Sequence, residues 1–184
     1  MRTKHFHEDD YCRQEFLPLG AWDYCEIQLA ELRAFDETHK TEFGWTEVYL
    51  GGGSPPCNLT DIVLLESAVR SAVGDVLVPF ETVTTGNVTH REPCQGVNAY
   101  GFEHRLSLFV EEGSIDRVKA MWLDPYGVQP EEVDPVSSAL SALPSAADLL
   151  FVDWAWHRLF LVSDIEAWQS YLHDHADGTG YMGW

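Results

Sequence analysis

The stretch that decides the fold runs Phe102-Glu-His-Arg-Leu-Ser-Leu-Phe-Val-Glu-Glu-Gly-Ser-Ile-Asp-Arg-Val-Lys-Ala-Met-Trp-Leu-Asp-Pro125. One face alternates through Phe102, His104, Leu106 and Leu108. Glu111-Glu-Gly-Ser114 then supplies a turn, and the chain returns through Val118, Ala120 and Trp122 to Asp124-Pro125. A period of two on both sides of a glycine-bearing turn predicts an antiparallel hairpin over 102–123.

Downstream, Asp134-Pro135 reads as an N-cap followed by proline at the first helical position. It opens a short helix through Leu140 and Leu143 that Pro144 stops. Residues 149–154 and 157–162 read as two closely connected strands. Ser163-x-x-Glu166 has the capping-box pattern, and Ile165, Trp168 and Leu172 form the stripe of a last helix.

Upstream, residues 22–29 alternate, with Cys25, Ile27 and Leu29 on one side, and predict a half-buried strand. Residues 31–44 read as a loop or short helix. Residues 45–50 predict a second strand, stopped by Gly51-Gly-Gly-Ser-Pro-Pro56. Asn58 reads as the N-cap of a helix whose stripe is Ile62, Leu65, Val69, Ala72 and Val73, closed by Gly74. A strand over 76–83 and a polar loop over 84–95 lead into the hairpin. Residues 1–20 and 177–184 are expected to be poorly ordered. The order of elements predicts a single α+β domain over 1–184, with a largely antiparallel sheet and about three helices.

Thirty acidic residues stand against eleven basic ones among 184, a formal charge of −19. Both halves share it, with 16 acids and 7 bases in residues 1–92 and 14 and 4 in the remainder. No basic patch is present to neutralise phosphates, which argues against nucleic acid and anionic membranes as partners. A hydrophobic fraction of 45% argues against a disordered acidic tail. Cys12, Cys25, Cys57 and Cys94 form no C-x-x-C pair and fit neither a zinc ribbon nor a disulfide scaffold. The first fifteen residues are charged, without the apolar run of a signal peptide, and no apolar run approaches a membrane span. A cytoplasmic protein with reduced thiols is expected.

The motifs for chemistry are sparse. Gly51-Gly-Gly-Ser54 lies between a strand and a helix, but Pro55-Pro56 remove two amides that a phosphate cradle would need. His5-x-His7 and His173-Asp-His175 have a spacing that neither strand nor helix turns into a chelate. His90 and Cys94 share a loop without fixed geometry. Neither a metal nor a cofactor is expected, and a non-enzymatic role leads. Trp154 and Trp156 flank Ala155, and alternation puts both rings on one face with Asp153 opposite. They read either as core or as interface aromatics.

The hairpin ending Trp122-Leu-Asp-Pro125, the helix after it, the strand ending Asp153-Trp154, the next strand and the capped Ser163-Asp-Ile-Glu-Ala-Trp168 helix form a layout over 97–175. This layout resembles the small acidic α+β immunity proteins of bacterial polymorphic-toxin and contact-dependent systems. The resemblance implies a cytoplasmic protein that binds and blocks one cognate toxin. The uniform negative charge points to a basic toxin domain, such as a nuclease, whose active cleft it covers. The densest acidic stretch, Glu111, Glu112, Asp116, Asp124, Glu131, Glu132 and Asp134, is then the candidate steering surface, with Trp154 and Trp156 as anchors. The alternative is a small cytoplasmic enzyme or ligand-binding domain with a site assembled from distant groups such as His90, Cys94, His104 and His157.

Overall fold

The computed structural model describes residues 2–42, 44–49, 53–87 and 89–178. In chain order the elements are β1 (Thr3–His5), β2 (Gln14–Pro18), α1 (Trp22–His39), β3 (Lys40–Thr41), β4 (Gly44–Trp45), α2 (Glu66–Val73), β5 (Val78–Pro79) and β6 (Thr82–Gly86). There follow β7 (Arg91–Pro93), β8 (Val97–Gly101), β9 (Ser107–Glu112), β10 (Val118–Asp124), α3 (Pro130–Ser141), β11 (Leu149–Asp153), β12 (Arg158–Leu161) and α4 (Ile165–Ala176).

Seven strands form the main sheet in the order β12-β11-β2-β10-β9-β8-β5, all antiparallel. A small sheet, β1-β6-β7, contains a parallel pair in which Thr3 faces Thr82. Alternation sends Phe16, Phe151, Leu108, Val110 and Met121 to one face, where α2, α3 and α4 bury them with Val69, Val136 and Trp168. Leu17, Leu150 and Val152 point the other way and meet Ala21, Cys25 and Leu29 around α1. Further along that second face, Ala99, Phe109 and Trp122 lie under Phe6 and Val83 of the small-sheet region. The result is an α+β domain with one face under three helices and the other shared by α1 and the small sheet.

The hairpin forms, but not with the predicted alternation: a register shift between Val118 and Ala120 sends Val118 and Trp122 to opposite faces. β9 begins at Ser107, because Phe102 to Leu106 turn between β8 and β9. β11, β12 and α4 also form, with Asp164 rather than Ser163 accepting the helical amide, from Ala167. α3 starts four residues before Asp134. The Gln129 and Glu132 side chains close a capping box there, and Pro135 lies inside the helix. Asn58 caps only a 3-10 turn over Leu59–Asp61, and α2 begins later, at Glu66. The predicted strand at 76–83 is two short strands, β5 and β6, and the polar loop contains β7.

Three predictions are overturned. Residues 22–29 are helical rather than extended: Ile27 is 58% exposed, whereas Cys25 and Leu29, four apart, are buried. That helix runs on to His39 and adds the fourth helix to the three expected. The expected strand at 45–50 is reduced to Gly44–Trp45, and Leu50, Gly51 and Gly52 lie outside the described residues. The N-terminal stretch, read as irregular, supplies two strands, and β2 pairs with both β10 and β11 inside the sheet. Residues 179–184 lie outside the described residues.

Candidate functional site

The seven acids singled out from the sequence fall into two groups. The seven residues of β10 span roughly 20 Å at about 3.3 Å each. Glu111, Glu112 and Asp116 belong to the hairpin-tip end, and Asp124, Glu131, Glu132 and Asp134 follow the opposite end. Most also hold local structure. Glu111 accepts from Tyr11 Oη and Lys119 Nζ, both at 2.6 Å, and Glu112 accepts from Asn98. Asp116 accepts from the Ser67 amide and hydroxyl in the first turn of α2. Asp124 accepts from Lys4 at 3.0 Å, Glu132 pairs with Arg105 at 2.8 Å, and Asp134 accepts from Gln169. Glu131 stands exposed in the first turn of α3.

A second acidic surface comes from α1, where the sequence reading placed a strand. Asp23, Glu26, Glu31, Asp36 and Glu37 stand on this helix with a single arginine, Arg33, whose guanidinium donates to the His157 carbonyl at 2.9 Å. Ile27, Ala30 and Ala34 are exposed at three- and four-residue spacing, and Asp23, Glu26, Glu31 and Glu37 are exposed around them. An apolar strip with a carboxylate rim is a surface chemistry of protein interfaces.

α1 and the small sheet leave a cleft of about 860 Å³ between them over the second face of the main sheet. Nine Phe, Tyr and Trp rings line it among the described residues. At one end Trp122 stacks on Phe109, with centroids 5.1 Å apart and planes 6° apart, and Phe6 meets both edge-on at 5.3 Å. At the other end are Trp154 and Trp156. They do not share a face, because the backbone turns after Asp153. The Asp153 carboxylate accepts the amides of Ala155 and Trp156, both at 2.9 Å, which ends the alternation. Trp154 packs with the α1 cluster and donates from Nε1 to Glu15, while Trp156 packs with the α4 side.

Trp156 lies flat on the His175 ring, 3.5 Å away at 2°, and Tyr171 stands edge-on to the same ring at 4.6 Å. Burial, with the Arg158 charge second, pushes the His175 imidazole down to about 3, so it is neutral at physiological pH. Burial also lowers His5 and His157, both in the lining. Tyr171 Oη donates to the buried Asp153 carboxylate at 2.7 Å. Burial raises Asp153, against the opposing effect of its three hydrogen-bond donors. Burial pushes Glu15, beside Trp154, up to about 7.

Arg13, Lys40 and Arg91 line the cleft, as do Asp10, Asp36, Glu47 and Asp124, so the wall carries three cations and four carboxylates. Among the described residues no three His, Cys, Asp or Glu side chains gather to hold a metal. Of the groups considered for an assembled site, His157 lines the cleft, whereas His90 and His104 are exposed elsewhere, 3.9 Å from Glu92 and 3.7 Å from Glu103. Cys94 packs with the Phe109–Trp122 cluster, and all four cysteines are free thiols. No helix among the described residues is long and apolar enough to cross a membrane. Comparison of the chain with protein-family models, curated proteins and solved structures finds no match.

Proposed function

We propose that this chain is an acidic cytoplasmic binding protein that blocks a basic protein partner, in the manner of an immunity protein against its cognate toxin. The observation that carries the reading is the outer face of α1, where Asp23, Glu26, Glu31 and Glu37 surround exposed Ile27, Ala30 and Ala34. Eleven basic residues cannot neutralise thirty acids, so this face belongs to a surface of strongly negative potential. Such a surface steers a basic partner into contact, and desolvated apolar contacts then hold it. Free thiols in all four cysteines suit a reducing compartment.

The test is capture from the native host followed by reconstitution. The protein captured should be basic, should bind the purified chain one to one, and should lose its own activity when bound. Capture of acidic proteins alone, or a basic partner whose activity is untouched, contradicts the reading.

A further inference from the structure

We propose that the cleft is a binding site for a flat heteroaromatic small molecule without negative charge. The inference stands apart from the partner reading, since a ligand in the cleft leaves the outer face of α1 free.

Three observations converge. The volume, about 860 Å³, lies within the range of small-molecule sites, and nine Phe, Tyr and Trp residues line its walls. The exposed rings of Trp45 and Tyr126 and the half-buried rings of Trp154 and Trp156 offer surface to the cleft, and planar rings pack best on such surfaces. Second, four buried side-chain nitrogen or oxygen atoms lack a hydrogen-bond partner among the described residues. Three of them, Trp122 Nε1 and both ring nitrogens of His175, belong to residues that line this cleft. Buried polar groups are nearly always paired. These atoms are closed to water in the free protein, so a ligand with hydrogen-bonding edges pairs with them only by parting the rings that cover them, offering an acceptor to the indole and a donor or acceptor to the neutral imidazole.

Third, charge selects among flat ligands. Lys40 lies over the Trp45 ring, 5.2 Å from its centroid, and Arg13 faces Asp10 at 3.7 Å. With four carboxylates against three cations in the lining and −19 on the whole chain, an anionic ligand meets net repulsion. A purine-like base fits this description better than its phosphorylated nucleotide.

Adenine and AMP are the probes. Four of the seven tryptophans line the cleft, so intrinsic fluorescence reads its occupancy. Adenine should quench saturably with half-saturation below about 1 mM. AMP at low salt should bind at least about tenfold more weakly. Ala155 is exposed and lines the cleft, so Ala155→Phe fills the space and should abolish the response without lowering Tm. If that variant melts early, Tyr126→Ala on the exposed rim decides, and adenine should then bind at least about threefold more weakly. Unsaturable quenching by adenine, AMP binding as tight as adenine, or a folded Ala155→Phe protein that binds like the parent overturns the proposal.

Discussion

The Trp154 indole donates from Nε1 to the Glu15 carboxylate across 2.9 Å and ties the wall of the cleft to β2, an inner strand of the main sheet. Glu15 lies opposite Trp122 on one neighbouring strand and Val152 on the other, so its carboxyl is enclosed by apolar neighbours. Burial raises it from 4.5 to about 7. In the unfolded chain it ionises near its ordinary value.

The sign of the pH effect follows. Below about pH 4.5 the group is protonated in both states and costs nothing. As pH rises from there to 7 the unfolded chain gives up its proton first, and stability falls. Above 7 the full penalty applies, on the order of 3 kcal/mol. Glu15→Gln keeps an acceptor for Trp154 and removes the charge. Urea melts should show it more stable than the parent at pH 8, with most of that gain gone at pH 5. An equal gain at both values contradicts the assignment.

His175 works in the opposite direction. Above pH 6.5 it is neutral whether folded or unfolded. Below that, the unfolded chain takes up a proton that the buried ring, held near 3, refuses, so stability falls with acidification. His175→Phe keeps a ring against Trp156 and removes two unpaired nitrogens. Its Tm advantage over the parent should widen steadily from pH 7 to pH 4. A constant difference across that range would show that His175 titrates normally.

Asp116 distinguishes structural from steering acids. It sits at φ +58° and accepts both the amide and the hydroxyl of Ser67 where α2 begins. Asp116→Ala should cost about 1–2 kcal/mol in chemical denaturation, as lost helix caps do. Asp116→Asn, which keeps an acceptor and tolerates the left-handed conformation, should lose much less. Equal losses in the two variants would mean that charge, not the hydrogen bond, holds the turn.

α4 is legible because it buries one face and leaves one in water, which prints a period of 3.6 in the sequence. The β9–β10 hairpin is legible instead from its glycine-bearing turn between two apolar runs, since both of its faces are buried. α1 carries a false strand signal, because Cys25, Ile27 and Leu29 satisfy a period of two by chance. The true stripe, Ala21, Cys25, Leu29 and Leu32, runs four, four and three apart. β2 hides for another reason: it lies inside the sheet, so Phe16, Leu17 and Pro18 are buried in succession and no alternation marks them. The cleft leaves no linear trace, because its wall joins His5, Phe35, Arg91, Trp122 and His175 from five separate segments. Glu111 to Asp134 is one dense acidic stretch in the sequence, but the length of β10 divides it in space.

The most direct test of the central claim is the association rate between this chain and its captured basic partner, followed by stopped flow as salt is varied. Replacing Asp23, Glu26, Glu31 and Glu37 together by lysine should slow association about tenfold or more at low salt, with a much smaller effect near 0.5 M. Ile27→Ala, on the same face, should leave association unchanged and speed dissociation. Association that is indifferent to the four reversals at every salt concentration, with the variant folded, would contradict the account.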